Sequence, residues 1–142
     1  MFTVLHETLS FRTTGKSMLT ITGEVSRWLN QSGAVSGTLT VFCKHTSASL
    51  TIQENFDPTV QQDLLQYLDD AAPESGYYEH SLEGPDDMPA HIKTMLTSVS
   101  LTIPVDAGHM ALGQWQGIYL LEHRARAHQR EIHLCFTGLA RD

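Results

Sequence analysis

From residue 2 the chain alternates along FTVLHETLSF. Phe2, Val4 and His6 fall on one face and Thr3, Leu5 and Glu7 on the other, the two-residue period of a strand. SMLTIT (17–22) is a second β-prone run. The period then lengthens in TGEVSRWLNQSG (22–33), where Val25, Trp28 and Leu29 share one face of a helix. Thr22 is placed to cap that helix, Glu24 sits in its first turn and Gly33 stops it. AVSGTLTVFCKHT (34–46) and ASLTIQEN (48–55) read as strands on either side of a polar break at Thr46–Ser47. If the first of them runs as far as His45, Cys43 and His45 point to the same face.

The clearest helix is DPTVQQDLLQYLDDAAP (57–73). Asp57 suits the N-cap, Pro58 the first helical position, and Pro73 the end, while Val60, Leu64 and Leu68 recur every four residues. After a loop rich in turn residues, Asp86 or Asp87 caps a third helix. Pro89 lies in its first turn, and Met88, Ile92 and Leu96 would form its apolar stripe. The rest reads as strand: SVSLTIPV (98–105), HMALGQ (109–114), GIYLLEHRAR (117–126) and REIHLCFTG (130–138). Strands and helices do not alternate regularly, which argues against a doubly wound parallel sheet. The expected fold is α+β, with packed, mostly antiparallel β-sheets in a sandwich-like arrangement and three short helices. At 142 residues one domain spanning 1–142 is expected.

Charge narrows the partners. With a formal net charge of −7, the chain lacks the basic field that non-specific nucleic-acid binding needs. Its one basic cluster is Arg124, Arg126 and Arg130, either an edge-strand charge set or an anion site. The two cysteines, Cys43 and Cys135, lie in β-branched or apolar runs and form no disulfide framework. No N-terminal signal pattern occurs, and no apolar run approaches the roughly 18 residues of a membrane span. A cytoplasmic protein with reduced thiols and no membrane partner is expected.

Of eight histidines, His6, His109, His128 and His133 fall in strands or turns and have ordinary explanations. His45, His80 and His91 each stand at or beside an element boundary with polar company, where a scaffold presents reactive groups. Three neutral imidazoles converging on one point would leave an open position on Zn²⁺. No two of these histidines are four residues apart on a helix and no H-E-x-x-H occurs, so three separate surface histidines are the alternative. Glu122 and Arg124 share a strand face. They read as a salt bridge, as outer support for a metal, or as an acid/base beside an anion clamp. No G-x-S-x-G, P-loop or G-x-G-x-x-G is present.

Four long blocks, HTSASLTIQENFDPTVQQDL, YEHSLEGPDDMPAHIK, LTIPVDAGHMALGQWQGIYLLEHR and the strand after them, resemble the YjbQ family. That family is labelled a secondary thiamine-phosphate synthase enzyme. The resemblance implies an α+β fold, a homotrimer with its pocket near the subunit boundary, and a metal cluster of three histidines, which fall here on His45, His80 and His91. The family's W-Q-G-I-x-L-x-E-x-R pattern falls on Trp115 to Arg124. The implied metal is divalent, zinc on imidazole ligands, with magnesium the alternative. The implied activity couples a pyrimidine methyl diphosphate to a thiazole phosphate with loss of pyrophosphate. A metal-dependent hydrolase and a non-catalytic, ligand-sensing trimer are the other readings. Glu122 and Arg124 are then the catalytic candidates, and Thr46, Ser47, Lys93 and Arg124 the donors to a small anionic substrate.

Overall fold

The computed structural model describes residues 1–142. Its elements run β1 (Phe2–Arg12), β2 (Ser17–Thr20), α1 (Thr22–Ser32), β3 (Ala34–Cys43), β4 (Ala48–Glu54), α2 (Pro58–Ala71), α3 (Asp87–Leu96), β5 (Ser100–Asp106), β6 (His109–Met110), β7 (Gln116–Glu122) and β8 (Gln129–Ala140). They form a five-stranded sheet, β1-β8-β3-β5-β6, and a three-stranded sheet, β2-β7-β4, with every pairing antiparallel. The α+β, sandwich-like expectation therefore holds. No helix is long and apolar enough to cross a membrane.

Alternation builds the core. Inward residues of the large sheet, Leu39, Val41, Ile103, Ile132, Leu134 and Phe136, meet Leu50, Ile118 and Leu120 of the small sheet in one buried cluster. Each such side chain contributes roughly 1.5–3 kcal/mol by leaving water. Helix α1 adds Val25 and Leu29 to the cluster, and Gly33 ends it in the left-handed conformation (φ 81°). Thr22 does not cap α1. Its hydroxyl accepts instead from the backbone N–H of Ile118 at 2.8 Å, tying the helix to β7.

The two other helices lie over the outer side of the small sheet. Asp57 caps α2 through Thr59 N–H at 2.9 Å, as its position predicts. Of the α2 repeat, Leu68 is buried, while Val60 and Leu64 are only half-buried.

Further expectations are corrected. Only His109 and Met110 of the 109–114 run are strand, because Gly113 N–H turns back to the Gln116 side chain at 2.8 Å. Strand β7 stops at Glu122 and β3 at Cys43, so His45 lies beyond the strand in the link to β4. The Met88–Ile92–Leu96 stripe of α3 is not its buried face. The helix turns Asp87, Ala90 and Lys93 inward and leaves Leu96 53% exposed. Arg124 and Asp69 supply ionic partners on that side, which fixes the rotation.

Candidate metal centre

The polar face of α3 organises the site. Asp87 and His91 lie one helical turn apart, so both side chains project from the same face. The preceding loop brings in His80. Its Nε2 lies 2.7 Å from Asp87 Oδ2, and His91 Nε2 lies 3.1 Å from the same oxygen. The two rings are 5.5 Å apart. One ligand atom from each of His80, Asp87 and His91 falls within 4.8 Å of the others.

Hydrogen-bond chemistry constrains this cluster. His91 Nδ1 faces the Thr46 carbonyl at 2.8 Å. A carbonyl only accepts, so Nδ1 carries the proton, and a neutral ring then presents a lone pair at Nε2. That lone pair faces a carboxylate oxygen. A second proton on the ring or a metal ion must lie between them.

Asp87 is ionised. Burial pushes its carboxyl up, but the His80 hydrogen bond and the charges of His91 and Arg124 outweigh burial and hold it below the usual range. Arg124 sets the geometry: Nη1 donates to Asp87 Oδ1 at 2.9 Å, Nε to Asp86 Oδ2 at 2.9 Å, and Nη2 to the Glu83 carbonyl at 2.9 Å. Asp86 also accepts from Ala125 N–H at 2.8 Å. Against the opposing effect of burial, the bonds from Arg124 and Ala125 bring its carboxyl to about 2.

The expected ligand set divides. His80 and His91 come together, with Asp87 as their third member. The His45 ring is turned towards β8, where Nε2 accepts from Glu131 N–H at 2.8 Å. Burial and the Arg130 charge lower its pKa. Its link to the centre runs through its neighbour Thr46, whose carbonyl orients His91. Glu122 is fully buried, bound by Arg130, Thr13 and the Arg124 backbone. Lys93 is 3% exposed and committed to Asp69 at 2.5 Å. Arg124 has its guanidinium donors engaged as above. Ser47 accepts from Arg130 at 3.0 Å, whereas Thr46 is exposed and its hydroxyl has no partner in the chain. Among the clustered arginines, only the Arg126 guanidinium is unpaired.

From the sequence Asp87 reads as a helix-cap candidate beside the site and not as a ligand. The usable signal was its four-residue spacing to His91, a carboxylate–imidazole pair on one helix face.

Behind the centre, His123 is buried and its Nε2 lies 2.8 Å from Ser49 Oγ, which lies 2.6 Å from Thr97 Oγ1. Burial, with the Lys93 charge, lowers His123 from 6.5 to about 3. The unfolded ring therefore takes up a proton that the folded ring refuses until about pH 3. Stability is complete above about pH 6.5 and falls with acidification, by about 1 kcal/mol per pH unit below pH 6. The lowered pKa of His45 acts in the same sense. Urea unfolding at pH 6 and pH 5 should show this loss, and His123→Gln should reduce it; an unchanged slope would contradict the assignment.

A model of the UPF0047 protein YjbQ-like family matches residues 7–139. This chain belongs to the YjbQ family. It is 47% identical over 134 residues to UPF0047 protein sll1880 of Synechocystis, covering 94% of this chain and 91% of that one. The Escherichia coli O157:H7 YjbQ protein is 41% identical over 134 residues, covering 94% of this chain and 97% of that one. Among solved structures, a YjbQ/UPF0047 protein from Clostridium acetobutylicum superposes with a TM-score of 0.84 at 37% identity, over 90% of this chain and 97% of that one. A YbjQ-like protein from Sulfolobus solfataricus P2 reaches 0.91 at 22% identity, over 98% and 100%, which speaks to the fold alone.

Proposed function

We propose that this YjbQ-family protein holds a divalent cation on His80, Asp87 and His91 and acts on a small phosphorylated molecule. The observation that carries the reading is the convergence of His80 Nε2 and His91 Nε2 on one oxygen of the ionised Asp87, with His91 Nδ1 held by the Thr46 carbonyl. Two imidazole nitrogens and one carboxylate oxygen suit zinc better than magnesium, which favours all-oxygen shells. A third protein ligand of this kind leaves positions free for an outside molecule.

The chain's own residues do the holding. Arg124 fixes the Asp87 carboxylate and the Thr46 carbonyl fixes the His91 ring. A bound ion would supply positive charge to a phosphate or diphosphate oxygen. Thr46 Oγ and the Arg126 guanidinium are the unengaged donors nearby in sequence to these elements. The YjbQ resemblance supplies the candidate reaction, formation of thiamine phosphate with release of pyrophosphate.

Zinc content by elemental analysis and thiamine phosphate formation test this together. Asp87→Asn and His80→Ala should each lower zinc affinity by about 100-fold or more, on the scale that separates a ligand from its outer support. His45→Ala should retain zinc. Zinc-free wild-type protein after loading, or Asp87→Asn binding like wild type, would remove the reading. Tight zinc binding with no turnover would leave a structural or sensing ion.

A further inference from the structure

We infer that Glu122 is a positioning residue for the His80–Asp87–His91 centre, holding from within the core both arms that orient its ligands. The inference rests on the cation-site reading above and extends it to a residue that touches neither ligand nor ion.

The first arm is Arg124. Glu122 Oε2 accepts from the Arg124 backbone N–H at 3.1 Å, which sets where that residue leaves the end of β7. The Arg124 side chain then grips Asp87 and Asp86. The second arm passes through Arg130. Its Nε donates to Glu122 Oε1 at 2.7 Å and its Nη2 to Oε2 at 2.5 Å. The same Nη2 reaches the Ser47 carbonyl at 3.2 Å and the Ser47 hydroxyl at 3.0 Å. Next to that anchored residue is the Thr46 carbonyl, which receives His91 Nδ1 at 2.8 Å and the Thr94 hydroxyl at 3.2 Å. Thr13 closes the arrangement, its hydroxyl donating to Glu122 Oε1 at 2.6 Å.

Position explains why one carboxylate serves both arms. Glu122 is the last residue of β7, paired across to Ala48 on β4 and to Ser17 on β2. It therefore sits where the 44–47 link and the 123–128 turn leave the sandwich together. Glu122 is 0% exposed and Arg130 4%. A buried ion pair is weak evidence for stability, because well-packed apolar side chains of similar volume often do as well. Apolar side chains could not direct a carbonyl at one imidazole and a guanidinium at one carboxylate. Direction is what this pair contributes to the site.

Glu122→Gln keeps the volume, removes the charge and sets an amide N–H against Arg130. Two readouts follow it. In metal-free protein, long-range ¹H–¹⁵N spectra of the histidine rings report the His91 Nδ1 proton held on the Thr46 carbonyl, and the variant should shift or broaden that wild-type signal. In a Co²⁺ titration followed by visible absorption, its affinity should fall by about 10- to 100-fold, the range for residues that orient metal ligands. Ser47→Ala removes one Arg130 contact without touching the core. It should weaken Co²⁺ binding several-fold, and it stands in if Glu122→Gln fails to fold. Ile103→Val, a core change elsewhere, should lower stability and leave both readouts alone.

Wild-type His91 spectra and Co²⁺ affinity in Glu122→Gln, or in Ser47→Ala where that variant stands in, would overturn the inference. An equal loss in Ile103→Val would do the same, by showing that general loosening suffices. If wild-type protein takes up no Co²⁺, the cation-site reading falls, and the metal-free His91 spectra alone decide the role of Glu122.

Discussion

Gly138→Ala yields no cooperatively folding protein, and Gly37→Ala behaves alike, whereas Gly23→Ala melts at or above the parent temperature. Gly37 and Gly138 face one another across the β3–β8 ladder at the middle of the large sheet. A Cβ on Gly138 would lie 2.2 Å from the Ser36 carbonyl oxygen and 2.7 Å from Gly37 Cα. A Cβ on Gly37 would lie 2.2 Å from the Thr137 carbonyl oxygen. These contacts are backbone on backbone, so no side chain can swing away to relieve them. The strands must separate, and the ladder next to the β3 irregularity at Ala34–Ser36 opens with them. Losing that pairing removes a large part of a net stability that is about 5–15 kcal/mol for a typical domain. Gly23 is the control, because a Cβ there meets nothing within 4 Å and alanine is the better helix former. Circular dichroism melts of the three variants decide the matter. A folded Gly138→Ala protein within a few degrees of the parent would refute the close approach.

Arg130→Met costs about 3–5 kcal/mol, the usual penalty for leaving one member of a buried pair without its partner. Glu122 has no route to water, and Thr13 and the Arg124 N–H alone do not replace two guanidinium donors. Burial pushes its carboxyl up, and it is held below the usual range chiefly by the Arg130 and Thr13 bonds. Without Arg130 it must protonate or drag water inward. The double variant Glu122→Leu/Arg130→Met should regain most of the loss in urea unfolding, since the cost comes from the orphaned charge. A single variant as stable as the parent would show that the pair is not buried as described.

The architecture was readable because two-residue alternation survives in nearly every strand. Ala34–Cys43 and the 130–138 run each place their inward residues as the pattern demands, whereas the first strand turns Thr3, Leu5, Leu9 and Phe11 inward and leaves Phe2 and Val4 exposed. Helix α2 was equally open, since Asp57 and Pro58 mark its start by backbone chemistry that needs no tertiary partner. Helix α3 was misread for a physical reason. Apolar periodicity assumes that the buried face is the oily one, and here Arg124 and Asp69 lie on the opposite side from Met88, Ile92 and Leu96. Ion pairing across the chain chose the rotation, and local sequence carries no trace of partners 24 and 37 residues away. The same blindness separates His45 from His80 and His91. All three stand at boundaries, but the strand end at Cys43 and the Glu131 N–H turn the first ring elsewhere. Lys93 and Glu122 looked available on charge alone. Their burial depends on Asp69 and Arg130, which only the fold brings to them.

The polar docking of α3 has a consequence for motion. The helix buries only Asp87, Pro89, Ala90 and Lys93, so lifting it off the sheet exposes little apolar surface. Such an opening depends weakly on denaturant and leaves the two packed sheets intact. Its backbone amides then exchange with solvent through that local event, ahead of the strands. An ion shared between His80 in the loop and Asp87 and His91 on the helix would bind the two segments into one unit. Amide exchange in residues 87–96 would thereby become a direct gauge of whether the centre is filled.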